Sequence, residues 1–180
     1  MAGMEPRIEV VDYDPSWPLA FAELRRVIAA ALGELALRIE HVGSTAVPGL
    51  AAKSIIDMDA VIADLSLLPQ AISVLHELGY VHQGELGIAN RHAFKWTGSD
   101  VPRDATGREW QNHHLYVCPE DSPELARHTA FRDYLRQHPL RAEDYAALKR
   151  SLAERFPYDI DAYIDGKSAF IEAALREAGL

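Results

Sequence analysis

The chain has 180 residues; 18 Lys plus Arg against 27 Asp plus Glu leave a net charge of −9 with histidine neutral. Hydrophobic residues make up 48% and charged residues 25%, the balance of a globular domain long enough to bury a sizeable core. The acidic balance argues against a dedicated nucleic-acid binder with its basic face, but leaves room for a small anion held by a local Arg/Lys cluster. Cys118 is the only cysteine, no apolar run is long enough to span a membrane, and Met1–Arg7 lacks the apolar core of a signal peptide. These features predict one domain over 1–180, in the cytoplasm, as a monomer or homodimer.

Asp14-Pro15 opens the first element, with Asp14 suited to an N-cap and Pro15 to the first helical position. Trp17, Phe21, Leu24, Val27, Ile28, Ala31, Leu32 and Leu35 then recur at helical spacing, predicting a helix over 16–36. Arg38–Val42 alternates as a strand and ends at Gly43. Ser44–Lys53 contains Pro48 and Gly49 and reads as a loop with a short helical turn. Ile55–Ile62 is a second strand, with Ile56, Met58, Ala60 and Ile62 on one side and Asp57, Asp59 and Val61 on the other. A helix over Leu67–Leu78 stops at Gly79. His92–Trp96 and His113–Cys118 are strands, separated by a polar loop over Thr97–Gln111. Three helices complete the chain: Ser122-Pro123 to Gln137, Ala142–Arg155 and Ile160–Ala178. Strands gathered in the first two thirds, with helices around them, predict an α+β fold.

The chemistry concentrates in Gly43-Ser44 and, twelve residues on, Asp57-Met58-Asp59. Carboxylates at i and i+2 of a strand project from one face and can approach a single cation. Mg²⁺ suits such oxygen ligands and keeps waters and substrate phosphates in its shell, and a cation relieves the repulsion between the two acids. The Gly43 backbone can approach a phosphate closely, while nearby amides and the Ser44 and Thr45 hydroxyls can donate to its oxygens. The pair of motifs therefore predicts phosphoryl or nucleotidyl transfer. Lys53-Ser54 is not a P-loop, because Ala52 stands where glycine is required. His113 and His114 are neighbours on a strand, point to opposite faces, and do not make a zinc site.

The run His41-Val42-Gly43-Ser44-Thr45-Ala46-Val47-Pro48-Gly49-Leu50, continuing through Lys53 and Ile55-Ile56-Asp57, resembles the GrpB family. So do His113-His114-Leu115, the stretch His128–Leu135 and Tyr145–Lys149. The resemblance covers nearly the whole chain. It implies a nucleotidyltransferase-like fold, a polymerase-beta-type palm with a mixed sheet flanked by helices and further C-terminal helices. That superfamily is marked by a hydrophobic residue, Gly and Gly or Ser, then after a short gap Asp, a hydrophobic residue and an acid. Val42-Gly43-Ser44 and Asp57-Met58-Asp59 match it. Family members are sometimes fused to dephospho-CoA kinase, and the family as such does not name a reaction.

One departure matters. Active superfamily members usually add a third carboxylate from a neighbouring strand, and Asn112–Cys118 has none. His114 shares its face with Asn112 and Tyr116 and is the candidate for that position, as a metal ligand, as a base toward an acceptor hydroxyl, or as a hydrogen-bond partner of a carboxylate. The expected site is thus Asp57, Asp59 and His114 for catalysis and metal, with Gly43, Ser44, Thr45 and Lys53 for phosphate. The expected ligands are Mg²⁺ or Mn²⁺, an NTP and an unknown acceptor, with no nucleic acid and no membrane. The other reading is a catalytically silent module binding a nucleotide or CoA-related metabolite. Arg91, His92 and Lys95 are secondary anion contacts or an ordinary charged strand. Arg132, Lys149 and Lys167 either neutralise triphosphate or form surface charge pairs, the latter expected for most of them. Trp17 and Phe21 read as core, and Trp110 as a possible lid.

Overall fold

The computed structural model describes residues 6–180. Its helices are α1 (Trp17–Leu32), α2 (Leu68–Glu77), α3 (Pro123–Gln137), α4 (Pro139–Arg155) and α5 (Ile160–Glu177). Its strands are β1 (Arg38–Val42), β2 (Ile56–Ile62), β3 (Tyr80–His82), β4 (His92–Trp96) and β5 (His113–Pro119). They form one mixed sheet in the order β1-β2-β5-β4-β3, in which β2 and β5 run parallel and the other neighbours antiparallel. This is the expected α+β plan.

The register assigns each side chain to a face. Val42 pairs with Asp57 and Glu40 with Asp59; across the parallel seam Asp57 pairs with His114 and Asp59 with Tyr116; beyond them Tyr116 pairs with Ala93. These residues share one face. On the other face Ile56, Met58, Ala60 and Ile62 are fully buried, with Ile39, Leu115, Val117 and Phe94 around them. Helices α1 and α2 cover that apolar face with Trp17, Leu24, Ile28, Leu32, Ala71 and Leu75. Each large apolar side chain buried this way contributes about 1.5–3 kcal/mol. Trp17 and Phe21 thus serve the core: Trp17 Nε1 donates to Ser54 Oγ at 3.1 Å, and Phe21 stacks on His41 with ring centroids 4.5 Å apart.

Helices α3, α4 and α5 lie over the polar face at its β1–β2 end. Val61, Cys118 and Leu125 close that end into an apolar patch. Arg132 ties α3 to β1, donating to Glu40 Oε2 at 2.8 Å and to the His41 carbonyl at 3.0 Å.

Several boundaries differ from expectation for local reasons. Asp14 does not cap α1; its Oδ1 accepts from the Ser16 amide at 2.8 Å in a side-chain turn, and the helix begins at Trp17. That helix ends at Leu32 because Gly33 takes φ +54°, and a single 3₁₀ turn, Gly33–Leu35, follows. Helix α4 begins at Pro139, earlier than Ala142, since proline is already set for a first helical turn. The edge strand β3 is three residues long, too short for alternation to reveal. The start of α3 is as expected: Ser122 Oγ accepts from the Leu125 amide, with Pro123 at the first position.

Candidate active site

The polar sheet face, the loop after β1 and helices α3–α5 enclose a cleft of about 370 Å³. Gly43, at φ +73°, turns the chain out of β1 and into a 3₁₀ turn, Ser44–Ala46. A β-carbon at position 43 would lie 2.4 Å from Asp57 Oδ2, so only glycine lets the turn meet the carboxylate this closely. Arg136 holds the turn from α3 by donating through Nε and an Nη to the Ala46 carbonyl at 2.9 and 2.7 Å. Lys149 holds it from α4, donating to Ser44 Oγ at 2.8 Å and to the Ala51 carbonyl. Ser44 Oγ thus accepts from Lys149 at the edge of the cleft.

The two aspartates differ in exposure. The Asp57 side chain is 31% exposed and that of Asp59 is 1% exposed. His114 Nδ1 donates to Asp57 Oδ1 at 2.9 Å, which is the hydrogen-bonding role among those open to His114. Asp59 Oδ2 accepts from His128 Nδ1 at 2.7 Å, and His128 Nε2 faces Glu124 Oε1 at 3.2 Å. Burial alone would lower the His128 pKa, but the bonds to Asp59 and Glu124 outweigh it and raise it to about 9. His128 is therefore an imidazolium with a carboxylate on each nitrogen.

Asp59 Oδ1 is buried without a hydrogen-bond partner among the described residues, and Asp57 Oδ2 lies against the Gly43 turn. An unpaired buried carboxylate oxygen is costly, and a cation would satisfy it. The acid pair therefore fits a divalent ion that takes its remaining ligands from water and phosphate. Among the described residues no three His, Cys, Asp or Glu side chains form a complete metal cluster.

Lys53, Lys149 and Lys167 line the same cleft as Asp57. Burial lowers the pKa of each; mutual repulsion adds to this at Lys149 and Lys167, which fall to about 7 and about 8. The Tyr163 ring lies beneath two of them, 4.6 Å from Lys167 Nζ and 5.5 Å from Lys53 Nζ. Three lysines lining one cleft give a local concentration of positive charge in a chain of net charge −9.

The structure brings Gly43, Ser44, Thr45, Lys53, Asp57 and His114 to one cleft; Asp59 does not line it but is buried on the same strand face, bonded to His128, which does. Thr45 lines the cleft with its hydroxyl already engaged. Its hydroxyl accepts from His41 Nε2 at 2.9 Å and donates its one proton to the Ile55 carbonyl at 3.3 Å, so it has none for a phosphate. Of the three basic residues left open between triphosphate contact and surface pairs, Lys149 is 2% exposed and, with Lys167, lines the cleft, whereas Arg132 is spent on Glu40 and Asp133. Trp110 is no lid; its Nε1 donates to the Pro102 carbonyl at 2.8 Å and its ring packs against the core. Sequence reasoning gave His128 and Glu124 no role. Their spacing of four on a capped helix put them on one face, but nothing local pointed that face at Asp59.

The sequence matches the family described as "GrpB protein" over residues 7–177. The chain belongs to the GrpB family. The GrpB protein of Enterococcus faecalis, known from a crystal structure, has a similar fold at TM-score 0.80 and 33% identity, over 94% of this chain and 96% of that one. The UPF0157 protein YqkA of Bacillus subtilis is 34% identical over 172 residues, 96% of this chain and 47% of YqkA. This GrpB-family chain thus spans about half the length of that relative. The Cid1 poly(U) polymerase is a looser structural neighbour, at TM-score 0.41 and 15% identity over 78% of this chain and 44% of that one. Among the described residues no helix is long and apolar enough to cross a membrane.

Proposed function

We propose that the chain is a metal-dependent nucleotidyltransferase, moving a nucleotidyl group from an NTP to a hydroxyl-bearing acceptor. The observation that carries this reading is that Asp57 shares one cleft with three lysines, while Asp59 on the same strand face lies buried behind the cleft-lining His128 with an unsatisfied oxygen. Acids alone suit a metal and lysines alone suit an anion; together they suit a metal-bound polyphosphate.

Asp57 and Asp59 would hold Mg²⁺ or Mn²⁺, whose charge neutralises the phosphates when bound. The Ser44 hydroxyl and the turn after Gly43 donate to phosphate oxygens, and Lys53 and Lys167 offset the charge of the leaving group. The acceptor oxygen bonds the α-phosphorus as the bond to the bridging oxygen breaks. Pyrophosphate leaves with the electron pair. His114 turns Nδ1 to Asp57, so its other nitrogen, Nε2, is positioned to take the acceptor proton. His128 is already protonated and serves Asp59 as a fixed counter-charge.

A second reading is a nucleotide- or CoA-metabolite-binding module without turnover. It is favoured by the register itself, which sets His114 and Tyr116, not an acid, beside Asp57 and Asp59. Two measurements decide. An NTP at a hundredfold excess over Kd should stabilise the protein by about 2.7 kcal/mol, with Mg²⁺ or Mn²⁺ required and the effect lost in Asp57→Asn. Labelled NTP incubated with a small-molecule extract should yield pyrophosphate in a single turnover. A melting shift indifferent to metal and to Asp57, without pyrophosphate, sinks the transferase reading.

A further inference from the structure

Helices α3–α5 cover only the β1–β2 end of the polar face. Its other half, over β4 and β5, is open and forms a second hollow of about 420 Å³. Gln83, Leu86, Ala93, Lys95, His114 and Tyr116 line it. His114 lines this hollow and the cleft alike and is the side chain between them, with Tyr116.

The chemistry of the lining is specific. Lys95 is exposed and makes no ion pair among the described residues. Arg91 lines the first cleft, and its guanidinium carbon lies 4.5 Å from the centroid of the ring of Tyr116, which lines both. Arg91 Nε is buried without a hydrogen-bond partner. Beside them stands an apolar wall: Leu86 is 65% exposed and held at φ +49°, and Ala93 lies in the floor. A branched apolar residue in left-handed backbone on the surface pays in strain and hydration for a position its own chain does not use. The volume suits a small molecule. The larger hollow of about 780 Å³ on the far side of the loop offers no comparable free group, since its Arg136 and Arg150 are bonded to Ala46 and Asp12.

We propose that this open half of the sheet face is the acceptor site, taking a small molecule with an apolar body and an anionic group, carboxylate or phosphate. The inference rests on the transferase reading for the reaction, but not for the binding. Lys95 holds the anion, Leu86 and Tyr116 flank the body, and the acceptor hydroxyl reaches His114 Nε2 at the boundary with the donor cleft, where Arg91 covers the far side of Tyr116. The hydroxyl proton passes to that nitrogen as its oxygen bonds the α-phosphorus of the NTP and pyrophosphate departs.

Three matched probes test it: 4-hydroxyphenylacetate, 4-hydroxybenzylphosphonate and tyramine, titrated into the ¹⁵N-labelled protein and followed by amide chemical shifts. The two anions should bind at least tenfold tighter than tyramine and move the amides of 83–95 and 113–116. Lys95→Glu should lose that binding at least tenfold and Lys95→Arg should keep it; whichever anion binds tighter names the group. The proposal is overturned if tyramine binds equally well, if no anion binds, or if the anions move only the Lys53 and Gly43 region. Mg²⁺-dependent NTP binding is measured separately on the same samples at Gly43 and Lys53. Its absence would sink the transferase reading while leaving the anion pocket standing.

Discussion

Replacing His128 with Gln removes the counter-charge of a carboxylate that is 1% exposed. The cost can be worked in two ways. The His128 pKa moves from 6.5 to about 9 against the pull of burial, and its side chain is only 23% exposed, so the shift corresponds to about 3 kcal/mol. Breaking one partner of a buried ion pair costs about 3–5 kcal/mol by comparison with other proteins. The folded-state pKa lies above the unfolded one, so this stabilisation is complete below about pH 6.5 and is lost as pH rises through about 9. Urea unfolding of wild type and His128→Gln should therefore differ by about 3 kcal/mol at pH 7, and this charge-linked gap should nearly vanish, to about 0.1 kcal/mol, near pH 10. Asp59→Asn in the His128→Gln background should recover most of the loss, because an amide needs no counter-charge. A difference below about 1 kcal/mol at pH 7, or one unchanged by pH 10, would refute the claim that an imidazolium holds Asp59.

Gly43→Ala should abolish metal-dependent NTP binding by calorimetry, because its β-carbon meets Asp57 Oδ2 at 2.4 Å at a φ that disfavours any side chain, and should cost about 1–3 kcal/mol in stability. Lys149 and Lys167 have pKa values lowered to about 7 and about 8 in the free protein, and a bound polyphosphate raises them again. NTP affinity should therefore fall as pH rises through that window, and calorimetry in buffers of different ionisation enthalpy should register proton uptake on binding. Tyr80→Phe should cost about 1–2 kcal/mol in a thermal melt, because His113 Nε2 accepts from the Tyr80 hydroxyl at 2.7 Å deep in the core and would lose its partner.

Much of the scaffold was legible because its signals are local. Helical and twofold periodicities located four of five strands and all five helices, and alternation along Ile56–Ile62 separated the apolar set from Asp57 and Asp59 before any packing was known. Glycine before serine at the end of β1, and two acids on one face of β2, identified half of the site from neighbours in sequence. Thr45 misled for the same reason. Its hydroxyl lies beside Ser44 in the chain, yet the 3₁₀ turn faces it inward to His41 and the Ile55 carbonyl.

What the tertiary structure alone decided is the company the acids keep. Lys149 reaches Ser44 across 105 residues and His128 reaches Asp59 across 69, separations over which no periodicity carries information. A lysine and a histidine on mostly polar helices look in sequence like solvated side chains. Only the packing of α3–α5 on one end of the sheet buries them, shifts their protonation and makes them part of a site. That same packing leaves the β4–β5 half of the face uncovered, and so decides where a second ligand has room to bind.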